Sequence, residues 1–198
     1  MGISPGDFEK LKQRMGGRKK SDSKGNLEVR VQFGRLLGID PSLRGTGFGV
    51  IEVVGRECRF LASGTLHCPS AWPRSRCLAQ IASSIREVIQ KYAPEGCAVE
   101  GLFFAQNLRT AITLGEARGA ALAVVAEAAL PIYELAPRQV KQAIVGFGGA
   151  QKLAVAKMVQ RMLNLEELPD PDAADALALA LALVQTGSSR SGIRLKPL

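Results

Sequence analysis

The sequence predicts a mixed α/β domain: one five-stranded sheet with helices on both faces. Three observations lead there. Three short apolar or β-branched runs follow one another between residues 36 and 67, separated by turn chemistry. Two further apolar runs, at 97–103 and 131–135, alternate with segments whose apolar residues recur at helical spacing. The resulting order, βββαβαβααα, calls for an antiparallel opening followed by crossover connections.

LLGID, residues 36–40, is a short apolar run that ends in an acid, and PSLRGTG after it is turn chemistry. FGVIEVV, 48–54, and CRFLASGTLH, 58–67, read as the second and third strands of a meander. Between Pro73 and Tyr92, the residues Leu78, Ile81, Ile85, Val88 and Ile89 fall three and four apart and mark an amphipathic helix. CAVEGLF, 97–103, is nearly all apolar, as expected of a strand covered on both faces. An Ala-rich helix over 110–129, a strand PIYEL over 131–135 and helices over 137–145, 150–164 and 171–186 complete the domain.

The 198 residues, 46% hydrophobic and 22% charged, are enough for one domain with a real core, placed at 34–186. Residues 1–33 are rich in Gly, Ser and Lys and poor in large apolar groups, so a flexible basic arm is expected there, either a solvated leader or a nonspecific DNA-binding tail. A flexible tail is expected over 187–198. The formal net charge of +8 favours a polyanionic partner, yet residues 1–35 hold nine Lys/Arg against four Asp/Glu, so most of the excess lies in those first 35 residues. Cys58, Cys68, Cys77 and Cys97 lack metal-ligand spacing, and His67 stands alone, which argues against a zinc site. No window holds the roughly 18 apolar residues of a membrane span, and the start lacks a secretory apolar core, so a cytoplasmic protein is expected.

The chemistry is expected from acids. Asp40 ends the first strand beside a Gly-rich turn, a position that suits a ligand and equally suits an Asx cap of that turn. Glu100 lies inside an apolar run with no alternation to turn it outward. A buried unpaired carboxylate costs several kcal/mol, so Glu100 must be paired, protonated or metal-bound. In DPDAADALALALAL, Asp170 suits the N-cap and Pro171 the first helical position, whereas Asp172 and Asp175 share one face as candidate ligands. Four carboxylates without His or Cys companions fit a hard cation, magnesium or manganese. Two such ions about 4 Å apart would activate a water and hold the leaving oxygen of a phosphodiester.

GIDPSLRGTGFGVI, VEGLFFAQN, TAITLGEARGAAL, PRQVKQAIVGFGGAQK and PDAADALALA together resemble, in order, the RuvC family of Holliday-junction resolvases over about 36–186. The resemblance implies an RNase H-like fold and a symmetric homodimer on a four-way DNA junction, cut by paired symmetric nicks during recombination and repair. It also implies a magnesium-binding tetrad, which falls on Asp40, Glu100, Asp172 and Asp175. Two ions per site, replaceable by manganese, and a branch-migration partner, the RuvA and RuvB complex, belong to the same expectation.

On matching positions, Lys152 resembles a catalytic or DNA contact, Lys141 a DNA contact, and Phe103 an aromatic set beside unpaired bases. Arg109, Arg118 and Arg138 are phosphate-contact candidates by charge alone. The helix carrying Gly115, Gly119, Ala120 and Ala121 resembles the family's dimer contact. Ser42 stands where the family usually has Gly, which predicts strain after Asp40, and Glu116 stands where it usually has Gln, which adds negative charge near that contact.

Two other functions compete. GIDPSLRGTG also resembles the first phosphate loop of actin-like ATPases and sugar kinases, but no second Gly-rich loop follows Glu100. A noncatalytic junction-binding protein on the same fold is the other, and the presence of all four acids argues against it.

Overall fold

The computed structural model describes residues 34–101, 107–188 and 197–198. The expected arm over 1–33, together with Phe103 and Phe104, lies outside the described residues. Five strands form one sheet: β1 (Arg35–Asp40), β2 (Gly45–Val54), β3 (Glu57–His67), β4 (Gly96–Glu100) and β5 (Ile132–Leu135). Their spatial order is β3-β2-β1-β4-β5. The meander pairs β1 with β2 and β2 with β3 antiparallel, while β1–β4 and β4–β5 are parallel.

The helices are α1 (Arg74–Tyr92), α2 (Leu108–Glu127), α3 (Pro137–Val145), α4 (Lys152–Met162) and α5 (Pro171–Ser188). One core, with Leu37, Ile39, Val50 and Cys97, is covered by α1 and α2. The other, with Leu36, Ile51, Ala98 and Leu135, is covered by α3, α4 and α5. Side chains alternate across a strand. Leu36 and Leu37 therefore enter opposite cores, and Asp40, two residues beyond Gly38 and four beyond Leu36, belongs to the α5 face. Ala98 places Glu100 on that same face.

Among the described residues, two boundaries differ from the sequence expectation, the start of β2 and the end of α5. β2 begins at Gly45, not Phe48, so part of the presumed turn is strand. Its glycines are there because α5 lies directly on them: a Cβ on Gly47 would fall 2.0 Å from the Asp172 carbonyl oxygen. β4 runs Gly96–Glu100, and Leu102 and Phe103 of the run read as strand lie outside the described residues. The helix α5 continues through Ser188, beyond the 186 expected, and Leu198 N–H donates to Ile132 O at 2.8 Å; residues 189–196 of the expected tail lie outside the described residues.

The same close contact recurs at Gly38, where a Cβ would lie 1.9 Å from the Ala176 carbonyl oxygen. Real side chains do not approach backbone so closely, so any larger residue must push α5 off the sheet. Gly38→Ala is expected to cost about 3 kcal/mol, the upper range for an overpacked core. In thermal melting this is a fall of roughly 6–12 °C for a domain of this size. A variant that melts with the parent would show that α5 can move without penalty.

Candidate active site

Because α5 is pressed onto β1 and β2, the acids of its first two turns lie over the strand ends that carry Asp40 and Glu100. The last rung between β1 and β4 pairs Ile39 with Val99, which leaves Asp40 and Glu100 side by side. Asp40, Glu100, Lys141, Lys152 and Asp175 line one cleft of about 230 Å³, walled by apolar residues such as Val140 and Leu179. Asp172, one turn before Asp175, lies beside Gly45 at the start of β2 and adds to the negative potential at Asp40. Asp170 precedes α5, and its carbonyl accepts from Ala174 N–H at 2.7 Å, the first bond of the helix.

The electrostatics follow from three acids in a partly dry cleft and a fourth, Asp172, close by. Burial first, then the charges of Glu100 and Asp175, push the Asp40 carboxyl up to about 7, against an opposing pull from Lys152. Glu100 is also raised, by burial and then by Asp175, with Lys152, Lys141 and Arg118 pulling the other way. Lys152 opens α4, and its Nζ lies 2.5 Å from Asp175 Oδ2, an ion pair whose hydrogen bond raises the lysine pKa and keeps it charged. As the side chains stand, no three Asp, Glu, His or Cys among the described residues are disposed to hold one ion. The ammonium of Lys152 serves as the counter-charge instead. The donor set, all carboxylate oxygens that repel one another, nonetheless fits a hard divalent cation.

The remaining candidates divide. Arg109 and Arg138 are exposed, free to meet a ligand. Arg118, expected as a phosphate contact, is instead buried on the core-facing side of α2. Its Nη2 donates to Glu134 Oε2 at 2.6 Å and its Nη1 to the Glu100 carbonyl oxygen. Ser42 is not strained, because its backbone avoids the left-handed region and is braced by Thr46, whose hydroxyl accepts from Ser42 N–H at 3.2 Å and donates to Ser42 O at 2.5 Å. Glu116 is paired with Arg74 of α1 at 3.0 Å, so its extra charge is largely answered within the chain.

Thr46 and Arg118 are the buried polar residues that reading the sequence did not single out as structural. The signal for Arg118 was present: it sits beside Ala117 and one turn before Ala121 in the buried stripe of α2.

A mixed sheet of this order, with acids ending the two central strands and two more on the helix laid over them, defines the RNase H-like resolvase class. Residues 36–183 match the family described as crossover junction endodeoxyribonuclease RuvC, and the chain belongs to that family. A crossover junction endodeoxyribonuclease RuvC of Janthinobacterium is 47% identical over 157 residues, covering 79% of this chain and 87% of the relative. One from Chloroflexus aggregans is 44% identical over 153 residues, covering 77% and 93%. The structure of Thermus thermophilus RuvC in complex with a Holliday junction substrate is similar with a TM-score of 0.74 at 37% identity, covering 83% of this chain and 99% of that one.

The raised Asp40 pKa has a consequence for the metal-free protein. Between the ordinary carboxylate value of 3.8 and about 7, the folded state holds a proton that the unfolded state releases. Stability contributed by this group is therefore lost as pH rises through that window. Asp40→Asn removes the penalty, so in chelator its melting temperature should exceed the parent's by several degrees near pH 8, with a smaller gap near pH 5. An equal gap at both pH values would show that Asp40 is not held protonated by its surroundings.

Proposed function

We propose that this chain is a magnesium-dependent endodeoxyribonuclease that resolves four-way DNA junctions by paired symmetric nicks in recombination and repair. The observation that carries the reading is the convergence of Asp40, Glu100, Asp175 and Lys152 on one cleft in a member of the RuvC family. Asp40, Glu100, Asp172 and Asp175 would hold the cation, with two ions per site and manganese able to substitute. When bound, such ions supply activation of the attacking water and stabilisation of the leaving oxygen in phosphodiester hydrolysis.

The chain's own residues do the rest. Occupancy of the cleft requires Lys152 Nζ to leave Asp175, and the freed ammonium, at the first turn of α4, is then available to the phosphate of the scissile strand. Lys141, on α3 across the cleft, adds a second cation on the path of the DNA backbone. Arg109 at the exposed start of α2 extends that path, and Phe103 keeps its proposed place beside unpaired bases. The apolar walls formed by Val140, Val155 and Leu179 limit bulk water at the acids.

Two opposed nicks need two equivalent sites, and a twofold dimer supplies them. We place the contact on the outer face of α2, where Leu108 is 76% and Ile112 48% exposed and the stripe continues through Gly115 and Gly119. Nothing lies within 4 Å of where a side chain at either glycine would extend, so the face is free to meet a second copy closely. In the cell we place the protein in the cytoplasm with RuvA and RuvB, the branch-migration complex, as partners. No described helix is long and apolar enough to cross a membrane, and the four cysteines are free.

Asp175→Asn tests the metal role, because it keeps the shape and removes a charge. The variant is expected to fold, dimerise and bind a synthetic four-way junction at least as well as the parent, with magnesium-dependent cutting reduced by orders of magnitude. Near-parental cutting by a normally melting variant would exclude Asp175 from the catalytic set. Gly119→Leu tests the interface: light scattering should report a shift from dimer to monomer, and an unchanged dimer would move the contact off this helix.

A further inference from the structure

Arg118 occupies a position where a charged residue is costly. It lies on the buried stripe of α2 with Ala117, Ala121, Val124 and Val125, its side chain only 10% exposed. A guanidinium in such a place needs both a counter-charge and acceptors for its N–H groups. It finds the first in Glu134, on β5 opposite Val99, and an acceptor in the carbonyl oxygen of Glu100. Both contacts brace the end of β4, one beside Val99 and the other at Glu100, the last strand residue. There the β1–β4 ladder has ended at Ile39 and Val99, and Gly101 N–H to Leu135 O, at 2.9 Å, is the next tie.

We propose that Arg118 is a positioning residue for the nuclease reaction: it clamps the end of β4 from below the sheet so that the Glu100 carboxylate, on the other face, stays in place beside Asp40. The inference rests on the nuclease reading above. Planar geometry explains why an arginine stands here. One guanidinium reaches a backbone carbonyl and a carboxylate at once, in fixed relative directions, which a lysine ammonium does not match. Glu134 holds the guanidinium in that pose and is the second member of the device. The residue before Gly119 thus works on the inner side of the same helix whose outer side is offered to a second copy.

The test uses Arg118→Met, Arg118→Lys and Glu134→Gln in the full-length protein. Four quantities are read: single-turnover cutting of a synthetic four-way junction at saturating protein, the magnesium midpoint of cutting, junction affinity in chelator, and amide exchange of Gly101 in the metal-free protein. Arg118→Met should cut at least 10-fold more slowly, with a magnesium midpoint raised several-fold, junction affinity within about twofold of the parent, and faster exchange at Gly101. Arg118→Lys should recover part of the rate. Glu134→Gln should show a smaller loss, and adding it to Arg118→Met should cost nothing further.

A folded Arg118→Met with parental cutting and midpoint overturns the proposal. So does a loss confined to junction affinity, which would return Arg118 to the DNA-contact role. If Arg118→Met does not fold, the other two variants decide, and parental cutting in both overturns the proposal. A parent that leaves junctions uncut sinks the nuclease reading itself, whereas unchanged Gly101 exchange in Arg118→Met sinks the clamp alone.

Discussion

The contact on which everything else depends is backbone against backbone: at Gly38 and Gly47, α5 rests on β1 and β2 with no side chain between them. Gly38 and Gly47 meet the carbonyl oxygens of Ala176 and Asp172, and the helix answers with alanines at 173, 176 and 180. Close-packed interiors tolerate little added volume, so this seam has essentially one solution. That solution sets the height of Asp172 and Asp175 above the sheet. An ordinary helix-on-sheet spacing, with Leu or Val in the seam, would lift both acids away from Asp40 and Glu100.

Crowding the acids in this way has an electrostatic cost, and the cleft shows how it is met. Asp40 titrates near 7 because burial and its acidic neighbours disfavour its charge, and Glu100 is displaced in the same direction. Lys152 at the start of α4 compensates through its bond to Asp175. Beneath the sheet, Arg118 adds a fixed positive charge that reaches Glu100 from behind. One cation therefore sits on a long exposed side chain, and the other is locked in the core. On the proposed reading, the exchange of Lys152 for a divalent ion uses that division between a removable partner and a fixed brace.

Much of this was legible in the sequence. The five strands and five helices of the described residues follow from apolar periodicity, and the acids at Asp40 and Glu100 stand out as polar residues at the end of one apolar run and inside another. What was misread has a common cause. Gly45 and Gly47 look like turn chemistry because glycine is a local breaker, yet here they are strand residues kept small by a helix more than 120 residues later in the chain. Local propensity carries no information about such a partner. Arg118 reads as a phosphate contact by its charge, although its place in the helical period puts it inward. Where type and period disagree, the buried position points to a paired charge rather than a solvated one.

The central claim is that the seam builds a cation site which the acids share and Lys152 guards. It is tested most directly by a crystal structure of the protein in manganese, with the ion located by its anomalous scattering. The account requires manganese in the cleft with Asp40, Glu100, Asp172 and Asp175 as ligands, and Lys152 Nζ withdrawn from its 2.5 Å contact with Asp175. Manganese absent from the cleft at saturating concentration, with Lys152 still on Asp175, would contradict it.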